Sequence, residues 1–454
     1  MDVDGGVHFV GIGGIGMSAL ARLLLARGCR VTGSSDRRTT LTDRLAAEGA
    51  TVFIGHDPQH VGSARTVVIT TAVAADNTEV VEAHRLGRAV LRRGALLAAL
   101  MHERRGIAIA GTHGKTTTTA MTACVLEGGG LDPAVVVGGE RVDTGNNARD
   151  GAGRWFLTEA DESDGSFLDL RPEIAVVTNI ENDHVSDDAG VGQLLRAFEQ
   201  FATNVPASGL VLFGCDDPRA ASLARAPRAA RGRTFGFAPG ADVRATSVTY
   251  DGFSSRFMVA AGNETLGEIA LSVPGAINVL DALPAVAIGR ELGVPFETIA
   301  AALAAYRGVR RRFEILARTP RMTVVDDYAH HPTAVAATIA AARAAFSGPL
   351  VVAFQPHRYT RTKYLALEFA RALRGADRVV LADVYASSED PIAGVDARSI
   401  GEPLAHAGTN VDYAGPSDAL PAHVLAHAPY GALVLMLGAG SITTAAEALA
   451  ECLR

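Results

Sequence analysis

The stretch of this chain with the most chemistry per residue is Gly111-Thr112-His113-Gly114-Lys115-Thr116-Thr117, directly after the apolar run Ile107-Ala108-Ile109-Ala110. It is a shortened P-loop. Its glycines let successive backbone N–H groups converge on phosphate oxygens, and the following helix adds the positive end of its dipole. Lys115 is then placed to reach the β- and γ-phosphates of ATP, and the hydroxyl of Thr116, or of Thr117, to bind Mg²⁺. The chain has only two lysines, Lys115 and Lys363, and spells all its other basic side chains as arginine. Base composition of the genome accounts for that bias. It does not account for a lysine kept in the loop, where a planar guanidinium would not replace a compact ammonium. Lys363 has no comparable role.

A carboxylate-rich stretch, Thr158-Glu159-Ala160-Asp161-Glu162-Ser163-Asp164, follows the apolar Trp155-Phe156-Leu157. The C-terminal end of a strand is where α/β sites form, and hard oxygen ligands suit Mg²⁺. A solvated acidic loop has the same composition. Asn179-Ile180-Glu181-Asn182-Asp183-His184 closes the next strand, and His184 could ligate a second metal or orient a carboxylate. Near the N-terminus, Gly11-Ile12-Gly13-Gly14-Ile15-Gly16 matches GxGxxG, with Asp36 about twenty residues on, where an acid suits a ribose hydroxyl. NAD and a UDP-sugar both fit that pattern. The last third offers Asp326-Asp327-Tyr328-Ala329-His330-His331-Pro332 and Gln355-Pro356-His357-Arg358-Tyr359-Thr360-Arg361-Thr362, each after an apolar strand. Arg358 and Arg361 at i, i+3 can share a helical face and clamp a carboxylate or a charged transition state.

These motifs need strands to end where they begin. Apolar runs at Val7–Val10, Gly106–Ala110, Phe156–Thr158, Ile174–Asn179, Gly209–Phe213, Thr323–Asp326, Leu350–Phe354, Arg378–Ala382 and Ala432–Leu437 predict strands, with helical spacing between many of them. Alternating strand and helix implies parallel sheets with helices on both faces, an α/β fold. The stretch Gly232–Glu268 is instead rich in short alternating segments and predicts a small β-rich part. At roughly 150 residues per domain, 454 residues suggest about three domains. The divisions fall at 1–93, 94–309 and 310–454, with Arg310–Arg312 as the hinge.

Composition narrows the function further. Hydrophobic residues are 48% and charged residues 20%, which supports sizeable cores and excludes disorder and coiled coil. The net charge of −7 argues against non-specific binding of nucleic acid. Four scattered cysteines, Cys29, Cys124, Cys215 and Cys452, form no CxxC and predict neither a disulfide framework nor a zinc site. No apolar run is long enough to span a membrane, and MDVDGGVHFVGIGG is unlike a secretory leader. A soluble, cytoplasmic protein is expected.

Seven segments now stand in one order: HFVGIGGIGMS, GTHGKTTTTAM, TEADESDGSFL, TNIENDH, VDDYAHHPT, QPHRYTRT and DVYASSEDPIAG. With them the chain resembles the Mur ligases over nearly its whole length. The resemblance implies a Rossmann-like UDP-sugar domain, a central P-loop ATPase domain and a Rossmann-like C-terminal domain that closes on an amino acid. The first and the last four segments lean toward the member that joins L-alanine to UDP-N-acetylmuramate. The implied chemistry is phosphorylation of the lactyl carboxylate by ATP, then attack of the L-alanine amine on the acyl phosphate, releasing ADP and phosphate. Lys115, Glu159, His184, His330, Arg358 and Arg361 are the implied catalytic set, with Thr116, Glu159 and His184 on the metals. The resemblance puts Asn278 beside adenine, Arg312 by the phosphates and Asp327 on the ribose of ATP. It puts Gly11, Gly13, Gly14, Gly16, Ser34, Asp36, Thr71 and Asn77 on the UDP-sugar, and Tyr328, His330, Arg358 and Arg361 around L-alanine. The expected partners are these substrates alone, acting on a monomer or homodimer, with no nucleic acid and no membrane insertion.

The chain departs from the family pattern in places. Pro-Gly-x-His-Asn is here Pro274-Gly275-Ala276-Ile277-Asn278. Asp281 stands for a second Asn, Ser441 for an Asp, and Ser186 for the acid after His184, with Asp187 displaced by one. Three alternatives stay open on sequence: a Mur-type ligase for another amino acid or peptide, an NAD-dependent dehydrogenase built on GxGxxG, and a non-catalytic nucleotide or UDP-sugar sensor.

Overall fold

A computed structural model of the chain describes residues 5–181 and 188–454. Five strands come first: β1 (Val7–Val10), β2 (Val31–Ser35), β3 (Thr51–Ile54), β4 (Thr66–Ile69) and β5 (Ala89–Arg92). All pair in parallel, in the order β3-β2-β1-β4-β5. The chain winds one way from β1 and the other way from β4. Their C-terminal ends therefore open a crevice at the turn Gly11–Gly14, which leads into helix Ile15–Ala26.

The second sheet holds β6 (Arg105–Ala110), β7 (Ala134–Val136), β8 (Ala148–Asp150), β9 (Trp155–Glu159), β10 (Ile174–Val177), β11 (Leu210–Gly214) and β12 (Arg231–Gly236). Parallel strands run β12-β11-β10-β6-β9-β7, and β8 closes the edge antiparallel to β7. One consequence governs the chemistry: β6 lies between β10 and β9. The loop leaving β6 is bracketed by the loops leaving those two neighbours. Strand β13 (Val243–Asp251) begins beside β12, pairing at Phe235–Val243 and Gly236–Arg244, and β14 (Ser254–Ala261) and β15 (Glu264–Leu271) follow it as neighbours. This is the β-rich part expected within Gly232–Glu268.

The third sheet contains β16 (Glu314–Arg318), β17 (Met322–Asp327), β18 (Leu350–Phe354), β19 (Arg378–Ala382), β20 (Asn410–Gly415) and β21 (Ala432–Leu437), in the order β16-β17-β21-β18-β19-β20. Only β16 runs antiparallel. Its central strands β18 and β21 are apolar at every position because both faces are covered. Phe354, Val352, Leu433 and Leu435 enter one buried cluster, whereas Val351, Ala353, Val434 and Met436, the alternate residues, enter another.

By compactness the chain divides into two units. One is Met1–Arg244 with Ala260–Glu264 and Asp281–Ala302; the other is Ala245–Val259, Thr265–Leu280 and Leu303–Arg454. Within the first unit the two sheets share one core, running from Phe9 and Leu20 through Met101 and Phe156 to Phe201 and Phe213. Polar ties accompany it. The buried Arg22 guanidinium donates to Asn147 (2.6 Å) and Glu48 (2.9 Å), and Arg27 reaches Asp150 and Glu103 (3.0 and 2.7 Å).

Candidate active site

Helix Lys115–Gly128 starts at Gly114, whose φ of +82° is left-handed. A Cβ there would also collide with the carboxylate of the buried Asp281. Backbone and space both demand glycine. The loop is hung from the end of β10. Thr112 N–H donates to the Asn179 carbonyl (3.0 Å), His113 N–H donates to Asn179 Oδ1 (2.9 Å), and the His113 carbonyl accepts from Thr178 Oγ1 (2.6 Å) and Asn179 Nδ2 (3.0 Å). His113 Nε2 lies 2.9 Å from Glu181 Oε2. Thr116 and Thr117 are buried at 5% and 7% exposure, on the first turn of that helix.

Lys115 Nζ curls back over the loop, donating to the carbonyls of Gly111 (2.5 Å) and Thr112 (3.2 Å) and to Glu162 (2.9 and 3.1 Å). The acidic stretch after β9 therefore faces the P-loop. Glu159 Oε1 accepts the Gly138 N–H at 2.6 Å. Burial works against ionisation of Asp161, but the Lys115 charge and hydrogen bonds from Ser163 outweigh it and hold this carboxyl below its ordinary range. A set of ionised oxygens beside a P-loop hydroxyl is a donor set that suits Mg²⁺. His184, expected at the metals, lies outside the described residues, as do Ser186 and Asp187.

The first loop is built differently. Gly11 has φ +83°, and the helix after Gly14 has no side-chain cap, so its first N–H groups are free for an anion. No lysine or hydroxyl projects from it. Gly16 instead abuts Arg93, at 3.2 Å for a Cβ placed against Cδ. Arg93 also pairs with Asp164 (3.4 Å) and Asp161 (3.7 Å), so one guanidinium joins the first loop to the acidic loop. Arg93 and Thr71 line the same cleft, of about 590 Å³ including its open mouth, with Asp164 and Ser166. Ser34 was expected on the UDP-sugar. Its hydroxyl donates to the fully buried Glu79 at 2.6 Å, while its carbonyl accepts the loop N–H groups of Gly11 (3.0 Å) and Ile12 (2.8 Å). Asn77 Oδ1 caps the helix Thr78–Arg85 by accepting from Glu79 N–H (2.9 Å). Asp36 is exposed and meets His56 Nε2 at 3.0 Å.

The second unit carries its own cluster at the C-terminal ends of β17 and β18. Asp327 accepts from the N–H groups of Ala329 (2.7 Å) and Phe313 (2.8 Å), and burial pushes its carboxyl up despite the charge of Arg312. Burial likewise raises Asp326 to about 6, although Thr443 donates to it at 2.5 Å and Arg311 stands 3.7 Å away. Arg311 and Arg312 both lie over the Tyr328 ring, at 4.8 and 5.0 Å. His330 packs edge-on to Tyr328 and to His357, which stacks on Tyr385. Arg361 is 7% exposed and lies 3.2 Å from His357 Nδ1. Arg358, with φ +71°, starts the helix Tyr359–Leu373 and bonds through its N–H to the Tyr385 carbonyl (2.8 Å). Asn278 turns its amide onto the Pro274 carbonyl (2.6 Å). At the Ser441 departure, Gln355 Nε2 donates to the hydroxyl (3.0 Å) and Ser417 shares a hydrogen bond with it (2.7 Å).

Sequence reasoning did not single out Arg93, Glu162 or Glu79. Arg93 opens a helix beside a second arginine and carries no motif. Glu162 lay inside the acidic stretch, but only the fold turns it toward Lys115.

Comparison with known proteins agrees along the chain. Residues 6–105 match the Mur ligase family catalytic domain, residues 109–289 the Mur ligase middle domain, and residues 311–440 the Mur ligase glutamate ligase domain. The UDP-N-acetylmuramate–L-alanine ligase of Geotalea uraniireducens is 45% identical over 449 residues, covering 99% of this chain and 98% of the relative. That of Pelobacter propionicus is 46% identical over 451 residues and covers 98% of each. The solved structure of the UDP-N-acetylmuramate–alanine ligase from Thermotoga maritima superposes with a TM-score of 0.85 at 30% identity, over 98% of both chains.

Proposed function

This chain belongs to the Mur ligase family, and on that premise we propose that it joins L-alanine to UDP-N-acetylmuramate, releasing ADP and phosphate from ATP. The observation that carries the reading is the assembly around Lys115. A glycine loop hung from Asn179 and a carboxylate loop supplying Asp161 and Glu162 meet at one ammonium, with Glu159 at the start of the same carboxylate loop. That is equipment for moving a phosphoryl group, not for passing a hydride, so the dehydrogenase alternative leaves it unused. Relatives of near-equal length that carry the L-alanine ligase name support the choice of amino acid.

The proposed division of labour assigns 1–93 to the UDP-sugar, 94–309 to ATP and 310–454 to the amino acid, in a cytoplasmic enzyme. Lys115 exchanges Glu162 for the γ-phosphate and follows it as charge shifts to the transferring oxygens. The loop amides from Gly111 to Thr117 hold the β-phosphate. Thr116 and Glu159, with His184, are the residues that would hold Mg²⁺. When bound, that cation neutralises phosphate charge so that the anionic lactyl carboxylate can approach. Arg93, held between the first loop and the acidic loop, guides the sugar nucleotide through the cleft toward ATP. Arg312, Asp327 and Asn278 serve the nucleotide. Tyr328, His330, Arg358 and Arg361 orient L-alanine and stabilise the oxyanion of the tetrahedral intermediate.

The test offers UDP-N-acetylmuramate, ATP and Mg²⁺ with L-alanine, D-glutamate or murein tripeptide in turn, and measures ADP. Release with L-alanine, and with glycine or serine more weakly, is expected. Release only with D-glutamate or the tripeptide would transfer the chain to a sister activity. No release with any of the three would favour a sensor.

A further inference from the structure

The N-terminal sheet contains a polar cluster that the proposed reaction does not use. Glu79, on helix Thr78–Arg85, is wholly buried. One carboxylate oxygen faces Ser34 Oγ of β2 (2.6 Å) and His56 Nδ1 (2.8 Å); the other faces His60 Nδ1 (2.9 Å) and His8 Nε2 of β1 (3.5 Å). Burial opposes its ionisation, but hydrogen bonds from His8, Ser34 and His56 prevail and hold it down at about 2. His56 also contacts Ser34 Oγ (3.1 Å), and its other nitrogen, Nε2, reaches out to Asp36 Oδ1 at 3.0 Å. Asp36 itself is 90% exposed. His56 thus spans from a buried carboxylate to the exposed one that the proposed reading places on the ribose of the UDP-sugar.

We propose that His56 is a proton-dependent positioning residue for the UDP-sugar: as an imidazolium anchored on Glu79, it fixes Asp36 for the ribose hydroxyls. The inference rests on the assignment of Asp36 to that ligand. The shortest contact of each ring nitrogen is to a carboxylate, which only accepts, so both carboxylate contacts can be made at once only when both nitrogens carry a proton. When the ring is neutral, a single N–H remains. The buried Glu79 keeps it, since an uncompensated buried anion costs more than an exposed one. Nε2 then presents a lone pair to Asp36, and the exposed carboxylate swings away. No other titratable group is needed: Glu79 and Asp36 face the ring, Ser34 is neutral, and His8 and His60 lie on the far oxygen of Glu79. Burial disfavours the charged ring, but Glu79 and Asp36 together raise its pKa above the ordinary histidine range. The anchored state is therefore present at low pH and lost as pH rises through that raised value.

Isothermal titration of the full-length protein with UDP, from about pH 6.5 to about pH 9, a span that covers a raised histidine titration, tests this, with ATP titrated into the same samples as control. Wild type should bind UDP about tenfold more weakly at the top of that range, the worth of one charged hydrogen bond. In His56→Gln the affinity should start low and stay flat with pH, while ATP affinity is unchanged. In Asp36→Asn, which should not disturb the fold, the pH dependence should also flatten. A wild-type pH profile retained in His56→Gln would overturn the relay. If Asp36→Asn binds UDP as wild type does at every pH, the ribose assignment itself falls and the relay with it. If Asp36→Asn weakens binding but His56→Gln does not, the assignment survives and the relay alone is wrong.

Discussion

Two strand–glycine–helix turns in the first unit, which the proposed function gives the same kind of ligand, a chain of phosphates, are equipped in opposite ways. The loop after β6 carries its charge within itself: Lys115, Thr116 and Thr117 sit on the first helical turn, and Asp161 and Glu162 approach from the neighbouring strand β9. The loop after β1 carries none. Its helix starts at Gly14 without a cap, and the nearest cation, Arg93, arrives from another helix. Backbone amides suffice to hold a diphosphate that does not react. A phosphate that transfers needs a cation able to follow the moving charge. Neighbouring strands set this difference, since β6 lies between two strands whose ends supply acids and amide, whereas β1 opens onto a cleft.

Mutations can break that contrast. The largest effect should come from Lys115→Ala, with an ADP-release rate down about 10³-fold while UDP binding is retained. Lys115→Arg should fall nearly as far; near-normal turnover would mean that any positive charge serves the loop. Next, Gly114→Ala forces a left-handed alanine against Asp281, at ~1–3 kcal/mol of strain. The KM for ATP should rise about tenfold, with UDP affinity untouched. Glu79→Ala should lower stability to urea by about 3 kcal/mol, because it strands the histidines packed on it; an unchanged midpoint would show that the cluster is not structural.

Smaller effects sharpen the comparison. Arg93→Ala should raise the KM for UDP-N-acetylmuramate about tenfold without moving that for ATP. An equal rise in both would make Arg93 a tie between the loops and not a contact of one ligand. In the second unit, Asp326 has its folded pKa raised to about 6. Its stabilising contribution is full below the unfolded carboxyl value near 4 and is lost as pH rises to about 6. Thermal unfolding of Asp326→Asn should therefore depend less on pH across that window than wild type does.

Much of the positioning was legible beforehand. The fully buried strands Leu350–Phe354 and Ala432–Leu437 read directly, because a strand covered on both faces is apolar without interruption. Thr51–Ile54 did not, since it is a half-exposed edge strand whose pattern resembles a loop. The partner of Ser34 was not legible either: Glu79, which takes its hydroxyl, stands forty-five residues on.

The amino-acid sequence by itself determined the loop chemistry, because spacing inside a P-loop, an acidic stretch or an Arg-x-x-Arg pair is local and needs no partner from afar. Tertiary structure decided which side chains meet. Glu162 reaches Lys115 because parallel strands β9 and β6 end at one edge, Arg93 reaches Asp164 because the first two sheets share a core, and His56 spans Glu79 and Asp36 because helix Thr78–Arg85 packs by the ends of β2 and β3. Strand order is set by burial summed over a whole sheet, and no short motif carries that sum.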